Sequence, residues 1–368
     1  MKVTRILYIT SFVITILVLY YNCTNSEQKS VIGDSSNPEH FKESDFVKRS
    51  LSNFKFLEIL RPKNQLLIKN IDEIVDSIRF IKLDTSDSCL IGRIDKVCLM
   101  KNRIVLLDKS TGNSVLVFDN NGKFINKYNK HGKGPNEFIT LNDLAVANDS
   151  IYILINEKII LRSDRDLNEF KIIQLDSWAF DLAVDSINHG FVTTGSTPFG
   201  DVIYFNNSGK SIGHYLLNHN FGNMFSTHPF SFLDGNILFY HPLLDSTYLV
   251  NNNTCIPIRH INRDKEKGYI TYFEIDRTII LGYYQYFIIK SKTTLLEFKI
   301  MKKSNSPLYN LLYSNYYISG IVGDYFISKL EPTKLLEIKN PVDKRIKYLQ
   351  KDIKIDSNPI IILTKFKD

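Results

Sequence analysis

Cysteine is too scarce and too widely spaced in this chain to form a metal-binding motif. The four cysteines are Cys23, Cys89, Cys98 and Cys255, and no pair has the Cys-X-X-Cys spacing of zinc sites. The eight histidines include no His-X-His and no pair spaced i, i+4. The sequence therefore predicts no metal and no cofactor. Convergence of histidines from distant segments, and a Cys89–Cys98 disulfide, both remain open.

The common catalytic motifs are also absent. Ser196 lies in Gly195-Ser196-Thr197-Pro198-Phe199-Gly200, which lacks the Gly-X-Ser-X-Gly elbow of serine hydrolases. A single tryptophan, Trp178, is too few for the aromatic platform of a typical carbohydrate-binding surface. We therefore assign no catalytic residue from the sequence.

The charge is neither strong nor clustered. Lysine and arginine total 46 against 39 acidic residues, a net charge of +7, and the two signs are interleaved along the chain. Nucleic-acid-binding domains concentrate basic residues on one face. The pattern here indicates a solvated surface and excludes nucleic acid as the partner.

The N-terminus has the features of an export signal. Lys2 and Arg5 precede an apolar run from Ile6 to Leu19, which is shorter than the ~20 residues of a spanning helix, and Cys23 follows. This order predicts a lipoprotein signal peptide over 1–22, with lipidation of Cys23 as the membrane anchor. An uncleaved anchor, or an ordinary signal with a chance cysteine, is the alternative. Residues 23–65 read as a polar tether and lead-in.

The segment from 94 to 128 carries the pattern of one propeller blade. Strand-like runs cover Ile94–Leu99, Arg103–Asp108, Ser114–Asp119 and Lys123–Tyr128. The last two are joined by Asn120-Asn121-Gly122, residues that tolerate the positive φ of a tight hairpin. Four short strands with a hairpin are the unit of a β-propeller.

Similar turns recur at a period of roughly 40–50 residues, near 162–166, 204–209 and 248–253, as in proteins built from repeated blades. The predicted fold is an all-β, six-bladed β-propeller of four-stranded antiparallel blades over 66–368. A short helical insertion is predicted over Thr333–Lys339, followed by Asn340 as a cap before Pro341. We expect Ile360–Phe366 to close the propeller by pairing with Ile78–Leu83.

Several of these segments resemble one known group of proteins. They are Ile91–Val97, Phe118–Phe124, Gly132–Phe138, Leu83–Ser86 and the Asn358-Pro359 start of the last strand. Together they resemble the six-bladed β-propeller lipoproteins of Bacteroides and relatives, which have NHL-like repeats. The resemblance implies the fold and a place in the cell envelope, and it implies no catalytic residues. The typical loop of the group has glycine where this chain has Asn136.

A glycine loop after the first blade is the sharpest candidate for ligand binding. It comprises His131, Gly132, Lys133 and Gly134, and free backbone N–H groups beside a lysine could hold an anion. Pro135 follows directly, and no helix begins there as a phosphate-binding loop requires. The alternative is a tight connector between blades.

We expect a membrane-anchored envelope lipoprotein whose propeller is a binding or scaffold module for a protein or glycan ligand. The alternative is a lyase or hydrolase that acts on carbohydrate or a small molecule at the propeller axis. We expect an outer-membrane location, with the periplasmic side or the cell surface left open, and a monomeric domain. Charged side chains at the channel mouth would favour the enzyme, and an apolar loop face would favour a partner protein.

Overall fold

The structure, a computed structural model, describes residues 57–59, 75–195, 202–215, 229–233, 235–241, 246–261, 271–275, 278–283, 286–291, 297–301, 318–322, 325–341 and 343–367. For 57–59, 261–322 and 366 only the backbone is described. All of these residues belong to one unit, Asn53–Asp368. The predicted signal peptide, Cys23 and most of the tether lie outside the described residues. No helix in the described ranges is long and apolar enough to cross a membrane.

Almost all regular structure is β-strand. The strands, in chain order, are β1 (Leu57–Ile59), β2 (Val75–Lys82), β3 (Lys96–Met100), β4 (Arg103–Asp108), β5 (Ser114–Asp119), β6 (Phe124–Tyr128), β7 (Leu141–Ala147), β8 (Ser150–Ile155), β9 (Ile159–Asp164), β10 (Phe170–Gln174), β11 (Leu182–Asp185), β12 (Gly190–Thr194), β13 (Val202–Phe205), β14 (Ser211–Tyr215), β15 (Phe230–Leu233), β16 (Asn236–His241), β17 (Ser246–Val250), β18 (Cys255–Ile261), β19 (Thr271–Ile275), β20 (Thr278–Tyr283), β21 (Tyr286–Ser291), β22 (Glu297–Met301), β23 (Ile318–Val322), β24 (Tyr325–Leu330) and β25 (Ile360–Phe366).

These strands form a β-propeller of antiparallel sheets. Four sheets are consecutive meanders, β3–β6, β7–β10, β11–β14 and β19–β22, and a fifth has the order β2-β25-β24-β23. The remaining sheet has the order β1-β18-β17-β16-β15. The inner edges of the sheets are β3, β7, β11, β15, β19 and β23, since β23 contacts β3, β3 contacts β7, β7 contacts β11 and β15 contacts β19. The prediction of an all-β propeller with four-stranded antiparallel blades is confirmed at this level.

One sheet carries a strand in addition to its four antiparallel strands. Five of the described sheets have four strands, and the sheet of β15–β18 has a fifth, β1. β1 pairs in parallel with the outer strand β18, from Leu57 opposite Arg259 to Ile59 opposite Ile261. A parallel neighbour needs a long connection rather than a tight turn, so hairpin signals do not reveal it. β1 comes from the range assigned to the tether and lead-in.

The predicted closure of the propeller is confirmed. β2 and β25 are antiparallel neighbours, with Ile78 opposite Thr364 and Lys82 opposite Ile360. β25 also pairs with β24, so a strand from each end of the domain shares one sheet. Such pairing removes the free edge that a strand from one end alone would leave.

The core lies between neighbouring sheets, which explains the continuous apolar runs of the central strands. In β5, Val115 and Val117 pack in a cluster with the β7–β10 sheet. Leu116 and Phe118 pack in the cluster on the other side, with the β2–β25 sheet. Successive residues of a strand point to opposite faces, and both faces are buried here. A strand in such a position is apolar throughout instead of alternating.

Each of two outer hairpin turns is clasped by the end of the preceding sheet. Gly122 accepts a backbone hydrogen bond from Asp84 at 2.8 Å, and the Asp84 carboxylate accepts one from Phe124 N–H at 2.9 Å. In the same way, the Asp176 N–H donates to the Gly209 carbonyl at 3.2 Å, and the Asp176 carboxylate accepts the Ser211 N–H. The two glycines have φ of +88° and +86°, as predicted for these hairpins. The clasp fixes the spacing of neighbouring sheets.

The helical insertion lies between β24 and β25 and comprises α1 (Pro332–Leu336) and α2 (Lys344–Gln350). Its presence is confirmed, but the predicted cap is wrong. Asp343, not Asn340, caps α2, because its carboxylate accepts the Arg345 N–H at 2.8 Å. A carboxylate at this position satisfies an N–H group that has no partner inside the helix.

Candidate functional site

The connectors that precede the inner strands lie together at one end of the propeller. The strand pairings place the starts of β3 and β7 beside the ends of β4 and β8. Hydrogen bonds join these connectors to the β4–β5 and β8–β9 turns at the same end: Lys109 N–H donates to Asp95, and Ala179 N–H donates to the Glu157 carbonyl. We call the surface formed by residues 84–95, 109–113, 139–142, 156–158 and 175–181 the loop face. Loops at one end of a propeller are where ligands are usually bound.

A buried ion pair lies beside the axis just under this face. Lys96 starts β3, and its Nζ donates to both carboxylate oxygens of Asp143 on β7, at 3.0 and 2.8 Å. The side chains are 18% and 7% exposed. Burial lowers the pKa of Lys96, but the charges of Asp143, Cys98 and Asp181, together with the hydrogen bond to Asp143, raise the pKa above its usual value. Asp143 also accepts the Leu182 N–H at 2.7 Å, which ties three consecutive sheets together.

Asp181 adds a second carboxylate, directly before β11. One of its oxygens, Oδ2, accepts the Thr194 hydroxyl at 2.6 Å, and its backbone N–H donates to the same hydroxyl. Burial, together with repulsion from Asp143, raises the pKa of Asp181 to about 6. We call Lys96, Asp143 and Asp181 the axial cluster. Asp143 accepts hydrogen bonds from Lys96 and Leu182, whereas Asp181 is partly exposed. We call the end of the propeller axis beside Asp181 the axial mouth.

The loop face carries several exposed large apolar side chains among its polar residues. Four large side chains from three connectors are 37–48% exposed: Leu90, Ile139, Trp178 and Phe180. Trp178 is the only tryptophan of the chain, and Lys158 Nζ lies 5.4 Å from its ring centroid. Large aromatic and aliphatic side chains exposed on one face of a protein are typical of binding surfaces.

The glycine loop is held together by the carboxylate of Glu137, which lies in the same loop. Glu137 Oε2 accepts the Gly134 N–H at 2.7 Å, and the Gly132 N–H donates to the Phe138 carbonyl at 2.9 Å. An added Cβ on Gly132 would lie 2.1 Å from Glu137 Oε2. An anion from solution would therefore compete with Glu137 for this position.

The positive φ of the loop lies at Asn136, at 57°, and at neither Gly132 nor Gly134. Phe138 is fully buried and stacks edge-on with His131, with ring centroids 5.8 Å apart. Lys133 is exposed. This arrangement favours a connector over an anion site. Asn136 takes the left-handed conformation where the resembling group has glycine, and asparagine tolerates it better than most residues.

The described cysteines are buried free thiols rather than a disulfide: Cys89, Cys98 and Cys255. Burial raises the pKa of the Cys98 thiol to about 11, which leaves it unreactive. Among the residues that the structure describes, no group of three or more His, Cys, Asp or Glu side chains is placed to hold a metal ion. His40, His219, His228 and Ser196 lie outside the described residues.

The axial cluster was missed by motif reasoning, because its members lie far apart in sequence. Asp143 follows Lys96 by 47 residues, and Asp181 follows Asp143 by 38. These separations are close to the blade period, and each residue lies at or within two residues of the start of an inner strand. The segment Asp-Leu-Ala-Val occurs at both 143–146 and 181–184, so aligning the repeats would have paired the two aspartates.

Comparisons with known proteins agree with the propeller. A family described as "Domain of unknown function (DUF4934)" matches residues 61–365. A crystal structure of a Bacteroides fragilis protein described as exported superposes with a TM-score of 0.71 at 18% sequence identity, covering 86% of this chain and 99% of that one. At this identity the likeness shows the fold alone.

Other propellers are more distant. BamB from Moraxella catarrhalis has a TM-score of 0.37 at 12% identity, with 62% of this chain and 66% of that one covered. The WD40 domain of Neurospora crassa Pan2 has a TM-score of 0.39 at 10% identity, with 56% and 64% covered. Such low scores support no argument about function. No curated protein matches the chain.

Proposed function

Since the chain belongs to the DUF4934 domain family and folds as a β-propeller, we propose that it is an envelope-anchored binding module whose loop face docks a partner protein. The observation that carries this proposal is the exposure of Trp178 (47%), Ile139 (48%) and Phe180 (37%) around the axial mouth. Tryptophan and other large apolar residues supply much of the binding energy at protein interfaces. With one tryptophan in the chain, a protein fits this surface better than a glycan.

The connector that carries two of these side chains is held in one conformation. Ala179 is fully buried, and its N–H donates to the Glu157 carbonyl at 2.8 Å. The Phe180 N–H donates to the Thr194 carbonyl at 3.2 Å. A preorganised surface loses little conformational entropy on binding.

Site-specific photo-cross-linking in cells tests the proposal. With benzoylphenylalanine at position 178, we expect a discrete adduct with a protein. The matched control is position 187, where Ile187 is 52% exposed on the β11–β12 turn at the opposite end. The same adducts at both positions, or none at 178, would contradict the proposal. An adduct that survives complete protease digestion would assign the surface to a glycan.

Anchoring through Cys23 belongs to the same proposal. Its support is the position of Cys23 directly after a charged start and an apolar run of signal-peptide length. A palmitate analogue should label the wild type and Cys89→Ala, whose cysteine is buried, but not Cys23→Ala. Equal labelling of all three would refute lipidation. The predicted site of the anchored domain is the outer membrane, facing the periplasm or the surface.

The raised pKa of Asp181 is the specific observation that favours the enzyme alternative. A carboxyl group with a pKa of about 6 would suit a general acid in a hydrolase or lyase. Hydrolysis of a glycosidic bond, however, generally needs two available carboxyl groups, and Asp143 is occupied by Lys96 and the Leu182 N–H. Turnover of polysaccharides or chromogenic glycosides that disappears in Asp181→Asn would establish the enzyme instead.

A further inference from the structure

The connector before β11 presents two kinds of side chain side by side. Trp178 and Phe180 are exposed on either side of buried Ala179, and Asp181 follows at the axial mouth. Phe180 and Asp181 are both held by hydrogen bonds to Thr194, one to its carbonyl and one to its hydroxyl. Because Phe180 and Asp181 are consecutive residues fixed to the same threonine, a ligand side chain that contacts one is within reach of the other.

The carboxylate of Asp181 has an open hydrogen-bonding position. The Thr194 hydroxyl occupies Oδ2, and no residue in the described part of the chain donates to Oδ1. The charged groups that act on it are Asp143, which repels it, and Lys96 and Lys109, which attract it. Repulsion by Asp143 is the largest of these charge effects. A cation brought by a ligand would relieve this repulsion.

We propose that the docked partner inserts an arginine side chain into the axial mouth, where its guanidinium pairs with Asp181 and its apolar neighbours cover Trp178 and Phe180. The inference rests on the proposed function and names the partner's chemistry. Arginine fits because its planar guanidinium both binds carboxylates and stacks on aromatic rings. Lys158 already lies over Trp178, so the guanidinium is assigned to Asp181 and Phe180.

The single tryptophan provides a direct measurement, because Trp178 fluorescence reports on the loop face alone. The probes are acetyl-Leu-Arg-Leu-amide and the same peptide with neutral citrulline in place of arginine. At pH 7.5 we expect a saturable change with the arginine peptide and about tenfold weaker binding of the citrulline peptide, the order expected for a hydrogen bond to a charged group.

Variants identify the carboxylate. Asp181→Asn should weaken the arginine peptide about tenfold, a change of the size of one charged hydrogen bond. Asp149→Asn, an equal charge change on the β7–β8 turn at the opposite end, should leave binding unaltered. Binding should also weaken at pH 5, where Asp181 is mostly protonated.

Equal affinity for the two peptides, no saturable change, or an effect of Asp149→Asn as large as that of Asp181→Asn would overturn this inference. The proposed function can survive that result. A protein adduct at position 178 combined with no preference for arginine would keep docking on the loop face and reject the arginine. If there is neither a protein adduct at position 178 nor a preference for arginine, both the proposed function and the arginine inference are rejected.

Discussion

Removal of the Asp143 carboxylate should destabilise the propeller more than any other single change in the axial cluster. Asp143→Ala leaves the Lys96 ammonium without its partner and the Leu182 N–H without its acceptor. Breaking a buried ion pair from one side costs about 3–5 kcal/mol, and we take the lower end because Lys96 is 18% exposed. The unsatisfied N–H adds about 1 kcal/mol. The expected loss in the free energy of unfolding is about 4 kcal/mol.

A double-mutant cycle separates the ion pair from general damage. Lys96→Met added to Asp143→Ala removes the stranded charge and should restore about 1–2 kcal/mol of the loss. Lys101→Met, at an exposed lysine in the β3–β4 turn, is the matched control and should restore nothing. Equilibrium urea unfolding followed by Trp178 fluorescence measures the wild type and each of these variants. If Lys96→Met lowers stability further in the Asp143→Ala background, the reasoning about a stranded buried charge is refuted.

Four further outcomes are expected. Gly122→Ala should lower stability by about 2–4 kcal/mol in urea unfolding, because φ is +88° and a Cβ would lie 2.0 Å from the Lys82 carbonyl oxygen; a neutral result would show that the clasp adjusts freely. Lys133→Ala should leave the thermal midpoint unchanged with and without phosphate, whereas a phosphate-dependent shift that this variant abolishes would restore the anion site. Deletion of Ile360–Asp368 removes β25 from between β2 and β24 and should cause aggregation in size-exclusion chromatography; a soluble product that melts cooperatively would contradict the closure. Because the folded-state pKa of Asp181 is raised to about 6, its contribution to stability is complete below pH 4 and is lost as pH rises through 6. Wild type should therefore lose stability relative to Asp181→Asn over that range, and parallel pH profiles would argue against the raised pKa.

Much of the fold was predictable because its signals are local. The hairpin at Gly122 follows from asparagine and glycine at positions that need positive φ, and the structure has φ of +88° there. The strand at Ile360–Phe366 follows from an apolar run after Asn358-Pro359. Its pairing with β2 follows from the requirement that a ring of sheets has no free edge. Each of these inferences uses neighbouring residues and one general rule.

The strand β1 was not predictable in the same way. Its three residues pair with β18 across a separation of 202 residues, and no turn chemistry connects the two. The glycine loop left two readings open in the sequence, an anion site and a connector between blades. In the structure Glu137 of the same loop supplies the carboxylate that binds the Gly134 N–H. Residue types identified the loop, and only side-chain placement showed what occupies it.

The sequence by itself determined the repeating strands, the hairpin turns and the closing strand, because hydrophobic alternation and turn preferences act over a few residues. The tertiary structure alone decided the axial cluster and the exposure of large apolar side chains on the loop face. Lys96, Asp143 and Asp181 meet because three inner strands start at the same end of the propeller, and the low polarity there makes their charges interact strongly. The exposure of Trp178 depends on Ala179 being anchored to the Glu157 carbonyl of the neighbouring connector, a contact that arises only when the sheets pack.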